Sequence, residues 1–411
     1  MFNIATQGDS SLFLHKFRFE AKICRSRLLF NIKIVINLVM TSADSAILDL
    51  LRREGALSRW ELHERTGLRP NSIGEHISRL IESGVVCEQA AESDGPGRPR
   101  VPLTIDPSRR HVVGAVIRPG HVGACRVNLH GQLLGSVLSR SVSTPGRIVS
   151  SLKQLLTKLI NEQTYAVGLS MPGFFDPQAR KLLFSSALDG RTAPSLESLD
   201  DVIGQLPFVI ENDMHALAAR WLQTFQQPQD EDVLLVYLDD GQLGAAMLIN
   251  GRPNRGCLAG GNELGHMRLP VTTGHCYCGH TGCLERIVSS DYLKQQGGTR
   301  NLHDAVVRLD DSDEALMQMI ELFATGLANT INFMRPNRLV LVSELTRYPK
   351  FTQTLFTQVR TRLLVELAGR VRLDHWDQPQ AQSAETAGWL ALASVYHPDW
   401  MREATATLAA M

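Results

Sequence analysis

Gly260-Gly261-Asn262-Glu263-Leu264-Gly265-His266 is followed, nine residues later, by Cys276-Tyr277-Cys278-Gly279-His280-Thr281-Gly282-Cys283-Leu284-Glu285. This stretch decides how the rest of the chain is read. Cys276, Cys278 and Cys283 fall within eight residues, and His266 lies ten positions upstream. Three thiolates and one imidazole are the ligand set of tetrahedral structural zinc. Gly279 and Gly282 give the loop the freedom to aim three sulfurs at one point. Glu263 and Glu285 are hard oxygen donors beside three sulfurs, so they are left for another task. A disulfide cluster and buried free thiols are the competing readings. Seven unevenly clustered cysteines in 411 residues do not form a secreted disulfide framework, and a bridge within Cys-x-Cys is strained. His275 and His280 are rival nitrogen ligands and Cys257 a rival sulfur; spacing alone puts His266 first. A closed four-ligand site points to a structural metal, because catalytic zinc keeps one position open.

The length predicts two or three domains. Lys plus Arg equals Asp plus Glu, 42 of each, so no global field draws the chain to nucleic acid or membrane. Any DNA contact must come from a local surface. No apolar run reaches the roughly 18 residues needed to span a bilayer. The clustered thiols, without a disulfide pattern, point to a reducing cytoplasm. Residues 28–40 are apolar-rich but interrupted by Asn31, Lys33 and Asn37, and no small-residue cleavage site follows. A signal anchor and a packed helix are both conceivable there. The expectation adopted is an extension without a fold over 1–40, with the true start at Met40.

A winged helix-turn-helix is expected over 41–106. A short amphipathic helix carries Ile47, Leu48, Leu50 and Leu51. Ser58 and Glu61 then form a capping box, with Leu57 and Leu62 as its hydrophobic staple. That second helix stops at Gly67, and the next opens with Pro70 in its first turn. Ile73, Ile77, Leu80 and Ile81 give the third helix one apolar face. Two helices joined by a short turn containing Gly are the helix-turn-helix signature. The outer face of the third helix carries Asn71, Ser72, Glu75, His76 and Arg79, suited to base edges or phosphates in a major groove. Arg69 is a poor helix cap, which suggests a phosphate contact instead. Two strands, 85–88 and 101–105, flank a wing whose tip, Gly97-Arg98-Pro99-Arg100, is stiff and doubly cationic. Such a tip suits a narrow minor groove. The segment holds eight arginines, no lysine and eleven acids, so it is not basic overall. Phosphate affinity scales with the cations placed on the backbone, so dimerisation matters. A protein-docking role for the same module is the competing reading.

From His111 the texture becomes α/β. Strands are expected at 112–117, 123–129, 133–139, 166–170, 208–210, 233–238, 244–249 and 339–342. Helices are expected at 150–160, 216–225 and 315–333. Alternation of this kind builds a layered fold with ligands at strand carboxyl ends, where Asn212 and Asp213 stand. Here the chain resembles the ROK family (repressors, open reading frames and sugar kinases). The resemblance runs from Ser42 onward and is most specific in Glu263-Leu264-Gly265-His266 followed by the Cys-x-Cys-Gly-x-x-Gly-Cys-x-Glu run. The Gly-Arg-Pro wing resembles the repressor branch. The resemblance implies a two-lobed, actin-like, ribonuclease-H-like domain over 107–411. Its smaller lobe would be 107–213 plus the C-terminal helix, and its larger lobe 214–385. It also implies that His266, Cys276, Cys278 and Cys283 bind zinc, and that Asn212, Asp213, Glu263, His266 and Glu285 face a sugar.

The family's kinases carry an Asp-x-Gly-x-Thr turn after the first strand, which meets ATP phosphates and magnesium. Here that turn reads Val116-Ile117-Arg118-Pro119-Gly120. A valine stands for the aspartate, and Pro119 lacks a backbone N–H. The second phosphate loop appears as Asp240-Gly241-Gln242-Leu243-Gly244-Ala245-Ala246, with an acid expected beside the triphosphate. A late Gly-Gly has become Ser343-Glu344. Phosphoryl transfer depends on positioning and charge neutralisation, so no enzyme activity is expected, and Asp213 is a vestigial base. The expected function is a sugar-responsive DNA-binding regulator, a repressor of carbohydrate genes. Its partners would be operator DNA, a sugar or sugar phosphate, and further copies of itself in a homodimer or homotetramer, with no membrane. An active ATP-dependent sugar kinase with an appended DNA-binding domain is the alternative.

Overall fold

The computed structural model describes residues 40–90, 100–176, 181–185, 195–225, 231–256, 260–378 and 383–397. The expectations for residues 1–39, for Arg98 at the wing tip and for Cys257 lie outside the described residues.

The first module is α1 (Ser42–Glu54), β1 (Leu57–Ser58), α2 (Arg59–Thr66), α3 (Pro70–Glu82), β2 (Val86–Glu88) and β3 (Pro102–Ile105). Thr41 and Asp44 form a capping box on α1, and Ser58 and Glu61 form one on α2. Each box satisfies two backbone donors that a helix start would otherwise leave open. Helix α3 begins at Pro70 after Arg69, which makes no side-chain cap bond. The strands pair β1-β3-β2, all antiparallel, which makes the wing.

Two five-stranded sheets of one design follow. In the first, β4 (His111–Arg118), β5 (His121–Asn128) and β6 (Leu133–Ser141) form an antiparallel meander. Next come α4 (Ile148–Leu159), β7 (Thr164–Met171), the small hairpin β8 (Phe174–Asp176) and β9 (Lys181–Phe184), and β10 (Phe208–Asn212). Strands β7 and β10 join parallel to β4, giving the order β10-β7-β4-β5-β6. After α5 (Asp213–Phe225) the pattern repeats. The meander β11 (Val233–Asp239), β12 (Gln242–Ile249) and β13 (Arg252–Pro253) is joined by parallel β14 (Arg338–Val342) and β15 (Arg372–Trp376). Helices α6 (Glu314–Met334) and α7 (Pro349–Arg360) lie between these elements in the chain, and α6 packs into the large-lobe core. The order β13-β12-β11-β14-β15 copies the first sheet position for position. This duplication is the two-lobed actin-like architecture.

The last helix, α8 (Ala384–Tyr396), lies on the first sheet at very close range. A Cβ on Gly114 of β4 would sit 2.0 Å from the Ala384 carbonyl oxygen, so only glycine allows the contact. Helix α5 serves both lobes. Ala216 and Ala219 pack with Val209, Leu390 and Ala393, while Met214, Leu217 and Trp221 pack with Val233, Leu235 and Val340. The lobe boundary expected at 213 therefore falls at the head of a shared helix.

The winged module is not tethered loosely. Ile47, Leu48 and Leu51 belong to one buried cluster with Val127, Tyr165, Leu392, Val395 and Tyr396. The Ser45 hydroxyl donates to the Val395 carbonyl at 2.9 Å, and the Arg52 guanidinium donates to the Gln223 carbonyl at 2.7 Å. Among the described residues no helix is long and apolar enough to cross a membrane.

Candidate ligand cleft and metal centre

The cysteine loop folds as its glycines require. Gly279 and Gly282 have φ of 88° and 79°, a region that disfavours every residue with a Cβ. His266, Cys276, Cys278 and Cys283 each offer one donor atom, all within 4.8 Å of one another. The Cys276 Sγ lies 3.6 Å from His266 Nδ1, and the Cys278 and Cys283 sulfurs are 3.5 Å apart. A tetrahedron with metal–sulfur bonds of about 2.3 Å has edges of roughly 3.8 Å, so the donor set fits a tetrahedral ion. A disulfide needs sulfurs about 2.05 Å apart, and all described cysteines are free. The rivals His275 and His280 are exposed and stand outside the cluster.

The imidazole of His266 joins this centre to a cleft. Its Nδ1 faces the sulfurs, and its Nε2 lies 3.6 Å from Glu263 Oε2. All five residues expected to face a sugar, Asn212, Asp213, Glu263, His266 and Glu285, line one cavity of about 750 Å³ between the lobes. Asn212 is already partly engaged: its amide donates to the Gly173 carbonyl and accepts from the Met214 N–H. One N–H and one lone pair remain for a ligand. Glu285 is buried, and its Oε2 has no hydrogen-bond partner. Burial raises the carboxyls of both Glu263 and Glu285 above the usual range, and each raises or is offset by its neighbours: Glu285 adds to Glu263, while Tyr277 and the Leu243 N–H oppose the rise in Glu285. Burial pushes the Asp213 carboxyl up to about 7; the Met214 N–H opposes the rise and Glu263 adds to it. Glu285 is buried with one oxygen unpartnered, and Asp213 and Glu263 open onto the same cavity, so all three can exchange hydrogen bonds with hydroxyls.

Below the cleft, Glu211 at the end of β10 is fully buried and accepts from Arg255 Nε at 2.8 Å and from His215 at 3.0 Å. Burial alone would raise its pKa, but Arg255 and His215 outweigh it and hold the carboxyl down to about 2. Arg255 follows β13, so this ion pair ties the two lobes directly behind Asn212 and Asp213.

Several expectations need correction. Asp240 does not point at a nucleotide; its carboxylate accepts from the Ser290 backbone N–H at 2.6 Å and from the Ser290 hydroxyl. These bonds sit at the first residue of the short helix Ser290–Gln295, whose cap is Ser289, and a helix start favours a nearby acid. In the winged module, Arg69, Asn71 and Glu75 are exposed and Ser72 half-exposed. His76 is not on that open face. Its side chain is 15% exposed and its Nδ1 lies 2.7 Å from Asp44 Oδ1, and Arg79 donates to the same carboxylate at 2.8 Å. The buried α1 carboxylate needs hydrogen-bond partners, and α3 supplies them. Arg100 stacks over Trp60, its guanidinium carbon 4.9 Å from the ring centroid, so it stands beside α2 at the wing base.

The cleft also holds residues the sequence did not single out. Tyr277 sits edge-on to His266 at 5.1 Å, and Arg118, His121 and Phe174 line the same cavity. Tyr277 lies between two ligand cysteines, which was its one visible signal.

Residues 122–395 match the ROK family over well over half of the chain. The chain belongs to the ROK family. Among its ROK relatives, the DNA-binding transcriptional dual regulator NagC of Escherichia coli K12 is 24% identical over 346 residues, covering 77% of this chain and 83% of NagC. The xylose repressor of Bacillus subtilis is 20% identical over 343 residues, covering 80% and 88%. A crystal structure of a ROK transcriptional regulator, a homologue of the E. coli Mlc protein, superposes with a TM-score of 0.70 at 18% identity and covers 90% of this chain and all of its own. A ROK glucokinase from Streptomyces griseus, with glucose and AMPPNP, superposes at 0.55 with 21% identity, covering 68% and 99%.

Proposed function

We propose that this ROK protein is a sugar-responsive DNA-binding transcriptional repressor whose kinase-like cleft senses a sugar instead of phosphorylating it. One observation carries the reading: the helix that begins with a cleft carboxylate ends on the DNA-binding module. Asp213 heads α5, and ten residues on, about 15 Å along the axis, the Gln223 carbonyl holds Arg52 of α1. Movement of the α5 head when a sugar fills the cleft is therefore delivered to the winged helix as a rigid displacement. In a homodimer such a displacement changes the spacing of two recognition helices, and only one spacing fits half-sites about 34–36 Å apart or a multiple of that. The sugar shifts this equilibrium by its difference in affinity between the two states.

Zinc is the ion the His266, Cys276, Cys278 and Cys283 donors fit. When bound, it supplies a rigid cross-link and no Lewis-acid step, because all four positions are filled by protein. His266 then presents Nε2 to the cleft, and the loop holds Glu263 and Glu285 at fixed separation. On the DNA side, Arg69, Asn71, Ser72 and Glu75 read the major groove, with Arg98 and Arg100 flanking it. His76 and Arg79 hold the reading helix against α1. The kinase reading has one observation in its favour, the Asp213 carboxyl near 7, which suits a general base; Val116 and Pro119 in the phosphate turn oppose it.

The test is binding of the protein to its own upstream DNA, with and without a panel of sugars, alongside ATP turnover with the same panel. The reading expects salt-dependent DNA binding that one sugar changes, with no turnover. In Arg52→Ala, DNA binding persists while the sugar effect shrinks at least tenfold. Brisk phosphorylation of a monosaccharide, or an undiminished sugar effect in Arg52→Ala, would overturn it.

A further inference from the structure

We infer that Trp60 is a positioning residue that holds Arg100 ready for a DNA backbone phosphate, and that Arg59 and Trp60 together fix the wing to the helix-turn-helix. This rests on the DNA-binding reading and names a device within it.

Arg59 and Trp60 are the first two residues of α2, and they hold the two roots of the wing. The Arg59 guanidinium donates to Glu88 Oε1 at 2.8 Å, and Glu88 ends β2, where the chain leaves for the wing. Arg100, where the chain returns, places its guanidinium carbon 4.9 Å from the Trp60 ring centroid. Strand β3 follows and pairs its Pro102 with Ser58, the cap of α2. Backbone pairing therefore sets which root lies beside which helix residue, and the two side-chain contacts limit the swing of the wing about that pairing. Leu62 of α2 shares one buried cluster with Ile73 and Ile77 of α3. A wing held by α2 thus keeps a constant place relative to the recognition helix.

Trp60 has no share in that core. It is 54% exposed and stands outside the buried cluster, so its indole is not held there for packing. Arg100 is exposed too and, among the described residues, makes no hydrogen bond and no ion pair. The neighbouring acid is already taken. The Ser58 N–H and hydroxyl, at 2.8 and 2.7 Å, hold the Glu61 carboxyl below its usual range, and Arg65 and Arg100 add only their charge. A guanidinium over an aromatic face is held through its charge and keeps its N–H donors free. Less freedom is then lost when those donors bind. Phosphate is the anion that matches the donor fork. In helix-turn-helix complexes the first helix of the motif crosses the DNA backbone, and α2 is that helix here. A phosphate, not a base edge, is therefore what Arg100 meets beside it.

The experiment measures affinity of the full-length protein for its own upstream DNA and for a random-sequence duplex of equal length, across a salt series, with Tm recorded for each protein. Wild type is compared with Trp60→Ala, Trp60→Phe, Arg100→Ala and the double variant Trp60→Ala/Arg100→Ala. Arg100→Ala should lower affinity for both duplexes alike and reduce the slope of log affinity against log salt by about one. Trp60→Ala should reproduce much of that loss, about three- to tenfold, with Tm unchanged. Trp60→Phe, which keeps a ring face, should restore most of it. Once Arg100 is gone, Trp60→Ala should cost nothing further. Additive losses in the double variant overturn the proposal, and this comparison decides even if Trp60→Ala lowers Tm, because a folding defect adds to the loss in Arg100→Ala. Wild-type affinity in Trp60→Ala, or failure of Phe to rescue, also overturns it. A loss confined to the upstream sequence overturns the phosphate assignment, since a backbone contact carries no sequence information. In all these cases DNA binding itself stands. Absence of salt-dependent binding of wild type to either duplex overturns the DNA-binding reading and the proposal together.

Discussion

Replacing Asp213 by Asn tests the electrostatics of the cleft directly. Its carboxyl titrates near 7 in the folded protein against 3.8 in an unfolded chain. The native state therefore holds a proton between these values that the unfolded state has released. Stability from this group is fully present below pH 4 and is lost as pH rises through 7. The gap of about three pKa units corresponds to roughly 4 kcal/mol. Cleft water screens part of it, so about 2–4 kcal/mol is the working figure. Asn keeps the acceptor that the Met214 N–H now uses at 2.9 Å and cannot ionise. Asp213→Asn should match wild type at pH 4.5 and exceed it at pH 8. In a chain of this length the excess amounts to about 3–6 °C in Tm. Melting both proteins in parallel from pH 4.5 to 8 checks this, and the difference cancels shifts from Glu263 and Glu285. If the two profiles stay parallel, or the variant is the less stable one at pH 8, the carboxyl is not being held protonated by burial and the argument fails.

Two further predictions follow from the metal centre and the recognition helix. Cys283→Ser should lower bound zinc, measured by elemental analysis, from about one ion per chain to a small fraction, and a strong chelator should do the same to wild type. Either change should weaken sugar binding at least tenfold by releasing the Glu263 and Glu285 segments, while the winged module keeps its fold. Arg69→Ala should lower DNA affinity and reduce the slope of log affinity against log salt by about one without altering Tm. His76→Ala should instead lower Tm, by removing a partner from the buried Asp44 carboxylate at a cost of about 1–3 kcal/mol. The reverse pattern would show that His76, not Arg69, meets the phosphate backbone.

The parts legible in the sequence were those written in local spacing. Ser58 and Glu61 are three residues apart and Cys276 to Cys283 lie in one loop, so capping and ligand geometry could be read without a fold. Asp44 is 32 residues from His76, and no periodicity discloses that a recognition-helix histidine is recruited to another helix's capping carboxylate. Asp240 misled for the same reason. Its neighbours in sequence are a glycine loop, but its partner in space is Ser290, 50 residues on. Helix α8 carries apolar residues on all sides and so presents no stripe to assign. Its central place follows from Gly114 and Gly388, whose missing Cβ atoms allow contact but leave no pattern. Val116 and Pro119 were visible as the residues that disrupt a phosphate turn, but the cavity that Arg118 and Asp213 share required the two lobes to be brought together.

The same placement bears on how a ligand in the cleft is sensed. Here the lobes are already tied behind the sugar residues by the Glu211–Arg255 pair, which is buried and therefore destabilising if broken by about 3–5 kcal/mol. A cleft with such a tie changes its angle through a small number of discrete states, not by free hinge motion. Helix α5 leaves that tie at Asp213 and reaches Arg52 of the winged module without an intervening loop, and the shared core of α1 and α8 removes slack at the far end. A ligand that prefers one angle then needs only about 1–3 kcal/mol of differential affinity to give the 5- to 150-fold change in operator binding that regulation requires. Hydrogen bonds from a ligand to the Glu285 and Asp213 carboxyls supply interactions of that size.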